Sequence, residues 1–245
     1  LALVVWFFFS SYAAVESGKP VLYYFLPSSP CRSVMMTAKV LGSDIDMKVL
    51  DVTKGEQFTP EFLAVNPQHT VPALDDNGFT LSESRAIAAY LASKSPKGDK
   101  LYPKDPKKRA VIDQIMDFDL GRLYSRVLNM FTFDPDATPL VLGAPFDQKK
   151  SDLLDGAFAM LEEYLTRNAW VAGSDMSIAD IPVLTSVSIA EGCGYNLSRF
   201  PKTNQWLAKM KSAIPDYKAL NEDGFYTWLN ASKASMTKAN KHSNH

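Results

Sequence analysis

Apolar and polar positions change their spacing several times over the first hundred residues and then settle into one rhythm. Val21–Leu26 is a short apolar-rich run of the kind that builds a buried strand. Val34–Leu41 spaces its apolar residues as a helix does, with Gly42 to end it. Asp46–Val52 alternates like a strand and Pro60–Val65 reads as a short helical turn. Ala73–Asp75 and Phe79–Leu81 are two short strands joined through Asp76-Asn77-Gly78, a strong hairpin turn. Ser84–Lys94 closes this half as a helix, so the predicted order is β-α-β-α-β-β-α.

The segment Ser95-Pro96-Lys97-Gly98-Asp99-Lys100, with Pro103 and Pro106 after it, carries proline and glycine at a density that marks a boundary. Beyond it the strand pattern disappears. Helical spacing runs through Arg109–Phe131 and Gln148–Thr166, and Trp206 and Met210 lie four apart on a further helix. Ser177-Ile178-Ala179-Asp180 is a capping-box variant, in which a hydroxyl and a carboxylate three apart each satisfy the other's backbone N–H. The expected organisation is a leader at residues 1–18, an α+β domain at 19–96, a linker at 97–106, an all-α domain at 107–231, and a polar tail at 232–245 too poor in apolar residues to fold. No internal repeat is evident.

The leader opens with an unbroken apolar run, Leu1 to Phe9, followed by Ser10-Ser11-Tyr12-Ala13-Ala14. It is shorter than the roughly 20 residues a membrane-spanning helix needs. Three readings stay open: an extension foreign to the fold, a secretory signal with small residues at Ser11 and Ala13 for cleavage, or an apolar anchor. Composition narrows the partners. With 46% apolar residues among 245, the chain can bury a sizeable core in one domain or two small ones. Its 26 basic and 27 acidic residues are well mixed, with no basic stripe of the kind a nucleic acid would require. Two cysteines, Cys31 and Cys193, make no disulfide framework and fit a reducing compartment. Of three histidines, His242 and His245 sit in the tail, which speaks against a metal cluster around His69.

Three motifs carry candidate chemistry. In Asn66-Pro67-Gln68-His69-Thr70-Val71-Pro72, the Val71–Pro72 bond is a candidate for cis, which would leave the Val71 N–H and C=O free to pair with a ligand. Glu83-Ser84-Arg85 places a carboxylate and a hydroxyl at the mouth of a helix, where backbone N–H groups and the positive dipole end favour an anion. Upstream, the strand Val21-Leu22-Tyr23-Tyr24-Phe25 leads to Ser28-Ser29-Pro30-Cys31-Arg32, which opens another helix. A backbone edge plus an anion-binding helix start suits a small peptide with a charged end.

In these three places, from about Lys19 to about Leu229, the chain resembles the cytosolic glutathione transferases, most closely the insect delta class and next the epsilon class. The resemblance implies a thioredoxin-like half followed by a helical bundle, with glutathione as co-substrate and no cofactor or metal. It implies a cytoplasmic homodimer that adds the glutathione thiolate to hydrophobic electrophiles, without nucleic-acid or membrane partners. A genuine signal peptide would make the protein secreted instead. Alternatives on the same fold are a non-catalytic ligand carrier or scaffold, and a glutathione-dependent isomerase or peroxidase.

Carried over residue by residue, Ser28 is the catalytic hydroxyl, two residues before Pro30-Cys31-Arg32. Ser29 is its rival, and the bland alternative is that Ser28 only caps the helix. Leu26-Pro27 stands where the delta pattern usually has Pro-Gly, which stiffens the loop. Cys31 reads as a small buried residue, since Ser28 replaces the attacking cysteine of a redox pair. Gln57 and His69 would donate to the glycine end of glutathione, and Val71, with Pro72, would pair through its backbone with the cysteinyl part. Glu83 and Ser84 would take the γ-glutamyl end, with Arg85 balancing Glu83 or serving the subunit contact. Leu120, Tyr124 and Phe131 would wall the electrophile pocket, closed by Phe225, Tyr226 and Trp228, although aromatic residues at helical spacing are as often core. Asp117 stands where an aromatic residue is common at the subunit contact.

Overall fold

In a computed structural model that describes residues 18–131, 147–227 and 229–230, the first half follows the predicted order. Strand β1 is Val21–Tyr24. It stops short of Leu26 because the Ser28 N–H bonds back to the Phe25 carbonyl at 2.9 Å, closing a turn. Helix α1 then spans Ser29–Leu41, beginning five residues before the apolar spacing is visible, with a proline in its first turn where no N–H is needed. Strand β2 is Asp46–Val49. The chain leaves it at Asp51, whose carboxylate accepts from the Thr53 N–H at 3.0 Å and starts a tight helical turn over Val52–Lys54. Helix α2 is Pro60–Val65, capped by Thr59.

Strands β3, Ala73–Asp76, and β4, Phe79–Ser82, are joined by Asn77 and Gly78, both at positive φ as the tight hairpin turn requires. Helix α3, Ser84–Lys94, completes the half. The sheet order is β2-β1-β3-β4, with β1 and β2 parallel and the other neighbours antiparallel.

The connector folds onto its neighbours. Gly98–Leu101 forms helical turn α4, and a side chain at Gly98 would place its Cβ 1.6 Å from the Ala92 carbonyl oxygen, so only glycine lets this turn lie on α3. The Arg109 guanidinium stacks 4.2 Å from the Tyr102 ring centroid and donates to the Pro103 carbonyl at 2.9 Å.

Helix α5, Pro106–Phe118, passes into a wider π-type turn at Asp119–Tyr124 and continues as α6, Ser125–Phe131. Helices α7, Gln148–Arg167, α8, Asp180–Gly192, and α9, Pro201–Ala213, follow, then a second wide turn at Lys218–Glu222. Every residue of α8 from Asp180 to Ala190 is buried, which makes it the axis of the bundle. Its start keeps the carboxylate half of the expected capping box, while the Ser177 hydroxyl accepts from the Ala179 N–H at 3.3 Å and the Asp180 N–H bonds to the Ser177 carbonyl. The Asp180 carboxylate accepts from the Ser177 N–H at 2.8 Å and the Ser177 hydroxyl at 3.1 Å. It also accepts from the Val171 N–H at 3.1 Å and the Trp206 indole at 2.9 Å.

One apolar core runs without a break from Leu22 through α1 and α3 into α5, α7, α8 and α9. A smaller cluster of Leu50, Phe62 and Ala73 involves α2 and carries Tyr23, Val65 and Val71 against it. Among the described residues, no helix is long and apolar enough to cross a membrane. The leader, to residue 17, and the tail, from residue 231, lie outside the described residues.

Candidate active site

A cavity of about 390 Å³ opens between the two halves. Phe25, Pro27, Ser28, Ser29, Pro30 and Arg32 form its wall from the turn after β1 and the start of α1. Val71 contributes the edge before β3, and Tyr124, Leu128, Ile189 and Phe225 come from the helical half. The lining mixes the polar side chains of Ser28, Ser29, Arg32 and Tyr124 with the apolar ones of Val71, Leu128, Ile189 and Phe225.

Ser28 precedes α1 with φ −72° and ψ 120°, and its hydroxyl makes no capping hydrogen bond among the described residues. Ser28 thus holds the N-cap position of α1 without its hydroxyl serving as the cap. Ser29 is engaged elsewhere: it is 5% exposed and its hydroxyl donates to the Tyr124 hydroxyl at 3.4 Å. Cys31 is fully buried and accepts from the Phe25 N–H at 3.4 Å. Burial pushes its thiol up to about 11, against the Phe25 N–H and the nearby Ser28 hydroxyl, so it is inert at neutral pH.

The loop before β3 is organised by Asn66, which is 2% exposed. Its Nδ2 donates to the Thr70 carbonyl at 2.8 Å, and its Oδ1 accepts from the Gln68 N–H at 3.1 Å. The Val71–Pro72 bond is cis. The Val71 side chain packs on the small cluster, while its N–H and C=O make no hydrogen bond among the described residues. Pro72 is buried beneath this edge. His69 is exposed at φ 47°, its ring 5.0 Å from that of Phe58. Gln57 is half-buried on the preceding turn. His69 and Gln57 both precede the Val71 edge in sequence and do not line the cavity.

At the start of α3, Glu83 is exposed at φ 69° and Ser84 is 5% exposed. Within the chain Arg85 pairs not with Glu83 but with Asp119, across the boundary between the halves. Asp119 is fully buried and also accepts from the Ser186 hydroxyl at 2.7 Å. Burial pushes the Asp119 carboxyl above its ordinary range, and the Arg85 charge and the Ser186 hydroxyl act against that. The same guanidinium lies 5.5 Å from the Tyr124 ring centroid and 3.5 Å from the Ser84 hydroxyl, so it links the start of α3 to the Tyr124 wall, although Glu83, Ser84 and Arg85 do not themselves line the cavity.

The expected electrophile wall is only partly assembled. Tyr124 and Phe225 line the cavity. Leu120 is 43% exposed and stands outside the cavity lining. Phe131 shares the face that Tyr124 occupies but lies about 10 Å further along the helix, where it is 1% exposed in the core. Tyr226 is 49% exposed and meets Phe225 edge-on at 5.3 Å, outside the lining. Trp228 lies outside the described residues. Leu128, one turn after Tyr124, takes a place sequence reasoning left empty, although its spacing could have suggested it. Ile189 had no such signal, since α8 is apolar all round.

Residues 22–99 match the model of the glutathione S-transferase N-terminal domain, and residues 131–213 that of the glutathione S-transferase C-terminal domain. Glutathione S-transferase D7 of Anopheles gambiae is 43% identical over 210 residues, which span 85% of this chain and 94% of that protein. Among solved structures, a Nilaparvata lugens delta-class glutathione transferase is 43% identical with a TM-score of 0.79, over 89% of this chain and 99% of that one. An epsilon-class glutathione S-transferase from the housefly, Musca domestica, is 36% identical with a TM-score of 0.77, over 88% and 98%.

Proposed function

The chain belongs to the glutathione S-transferase family, and from that premise we propose that it activates glutathione at Ser28 and joins it to apolar electrophiles held against Tyr124, Leu128, Ile189 and Phe225. Its activity is that of a glutathione S-transferase. What carries the assignment of the serine is one observation: the Ser28 hydroxyl stands in the cavity wall at a helix start, with no capping duty to perform.

A free thiol has a pKa near 8.5, so little thiolate exists at neutral pH. A hydroxyl donated to the sulfur favours the charged form, and the positive end of α1 adds to it. The Ser28 proton stays on its oxygen and the electron pair that attacks is the sulfur's, so no base is required. The peptide backbone of glutathione would pair with the Val71 edge. Its γ-glutamyl end would sit at the start of α3, with the amino group on Glu83 and the carboxylate on Ser84. His69 and Gln57 would reach the glycine end. Conjugation by the wild-type chain of a chloronitrobenzene with glutathione tests this reading; retention on immobilised glutathione without turnover would leave a carrier.

Losing a charge-assisted hydrogen bond costs about 1.5–3 kcal/mol, so Ser84→Ala or Glu83→Gln is expected to weaken glutathione binding about tenfold or more with the fold intact. Unchanged affinity by calorimetry would remove the pair from the site. We further propose a homodimer, the commonest symmetric assembly, with an apparent mass near twice 27.2 kDa. A concentration-independent monomer by light scattering would overturn that. Both cysteines are buried and make no disulfide framework, which supports a cytoplasmic location in a reducing compartment.

A further inference from the structure

Arg32 is the bulkiest of the fully buried side chains, 1% exposed, and forms no ion pair with a carboxylate among the described residues. Its Nε donates to Asn221 Oδ1 at 3.0 Å. Its Nη1 donates to the Pro27 carbonyl at 2.7 Å and lies 3.5 Å from that of Leu26. Its Nη2 is buried without a partner. Asn221 is itself fully buried and donates to the Tyr217 hydroxyl at 3.0 Å, which lies 3.0 Å from the Ser188 hydroxyl on α8. The guanidinium is thus fastened to the helical half and grips the two carbonyls that precede Ser28.

The titratable groups that face it are the Cys31 thiol and the Tyr124 and Tyr217 phenols. Burial pushes all three up, so each is neutral at pH 7. Burial also lowers Arg32 to about 10, which leaves it charged. A buried cation without an anion is costly, and proteins seldom keep one without use for it. Here Arg32 belongs to the wall of a cavity into which the reaction brings an anion.

We propose that Arg32 is a positioning residue for the conjugation reaction: it fixes the Leu26–Ser28 turn through two carbonyls and supplies, from behind that turn, the positive charge that the glutathione thiolate balances. The inference rests on the reading of the cavity given above.

Asn221→Asp tests it with almost no change of shape, since it keeps an acceptor for the Arg32 Nε and gives the guanidinium a counter-ion. The expected result is a pH of half-maximal kcat/KM raised by about one pH unit, with kcat at neutral pH down about tenfold and glutathione affinity little changed. Arg32→Lys keeps the charge and loses the fork, and should lower kcat while holding the pH profile near that of the wild type. Arg32→Gln loses both and should move the profile upward. If folded Asn221→Asp shows the wild-type pH profile and kcat, the proposal is overturned. Should that variant not fold, identical pH profiles for Arg32→Lys and Arg32→Gln would overturn it just as well. A wild-type chain without conjugating activity would sink the reading of the cavity as well, which separates the two failures.

Discussion

Ser28→Ala is expected to lower turnover about a hundredfold at neutral pH, the cost of losing one preorganised donor to an anion. Glutathione affinity should stay within about twofold, because most contacts of the peptide lie at its two ends and at the Val71 edge. The rate-against-pH curve should also move. Without the hydroxyl, the bound thiol drifts back toward its free value, so a higher pH is needed for the same thiolate fraction. Ser29→Ala is the matched control: its hydroxyl is committed to Tyr124, and its loss should change turnover little. Full activity in Ser28→Ala, measured beside a Ser29→Ala variant without activity, would transfer the role to the neighbouring residue. Full activity in both would end the serine mechanism.

Asp119→Ala is expected to cost about 3–5 kcal/mol of stability, because it leaves the Arg85 charge without its partner at a site where Asp119 is fully buried. It also strands the Ser186 hydroxyl. Thermal or urea unfolding measures the loss. The decisive comparison is the double change with Arg85→Met, which removes the stranded charge and should recover part of the stability, with a coupling energy of about 0.5–3 kcal/mol. Glutathione binding should weaken too, since Arg85 leans on Ser84. A variant that melts with the wild type would show that the pair holds nothing together.

What could be read from the chain was local. Thr59 and Pro60 start α2, Asn77-Gly78 turns the hairpin, and Ser177 with Asp180 starts α8, each within a span of four residues or fewer. The α3 helix over Ser84–Lys94 and the cis bond at Val71–Pro72 likewise follow from neighbouring residues. What could not be read was long-range. Arg85 finds Asp119 34 positions away, and Arg32 finds Asn221 189 positions away, so neither polar partner leaves a trace in spacing. Leu120, four positions before Tyr124, is 43% exposed outside the cavity lining, a difference that spacing alone did not show. The connector read as a boundary from its proline and glycine, and spacing did not show that Gly98 lets two backbones touch there.

The unbroken core has a consequence for how such a chain can change over generations. The proline-rich connector looks like a natural crossover point for exchanging one helical half, and with it one substrate range, for another. Yet α1 and α8 pack directly together, and the Arg85–Asp119 pair straddles the same boundary. A recombinant that inherits a foreign α8 without the matching α1 and α3 faces would carry voids and a stranded charge through its middle. Substrate range is therefore not a portable module in this protein. Variation in it has to come by single replacements along the cavity wall, or by the co-inheritance of both sides of the seam.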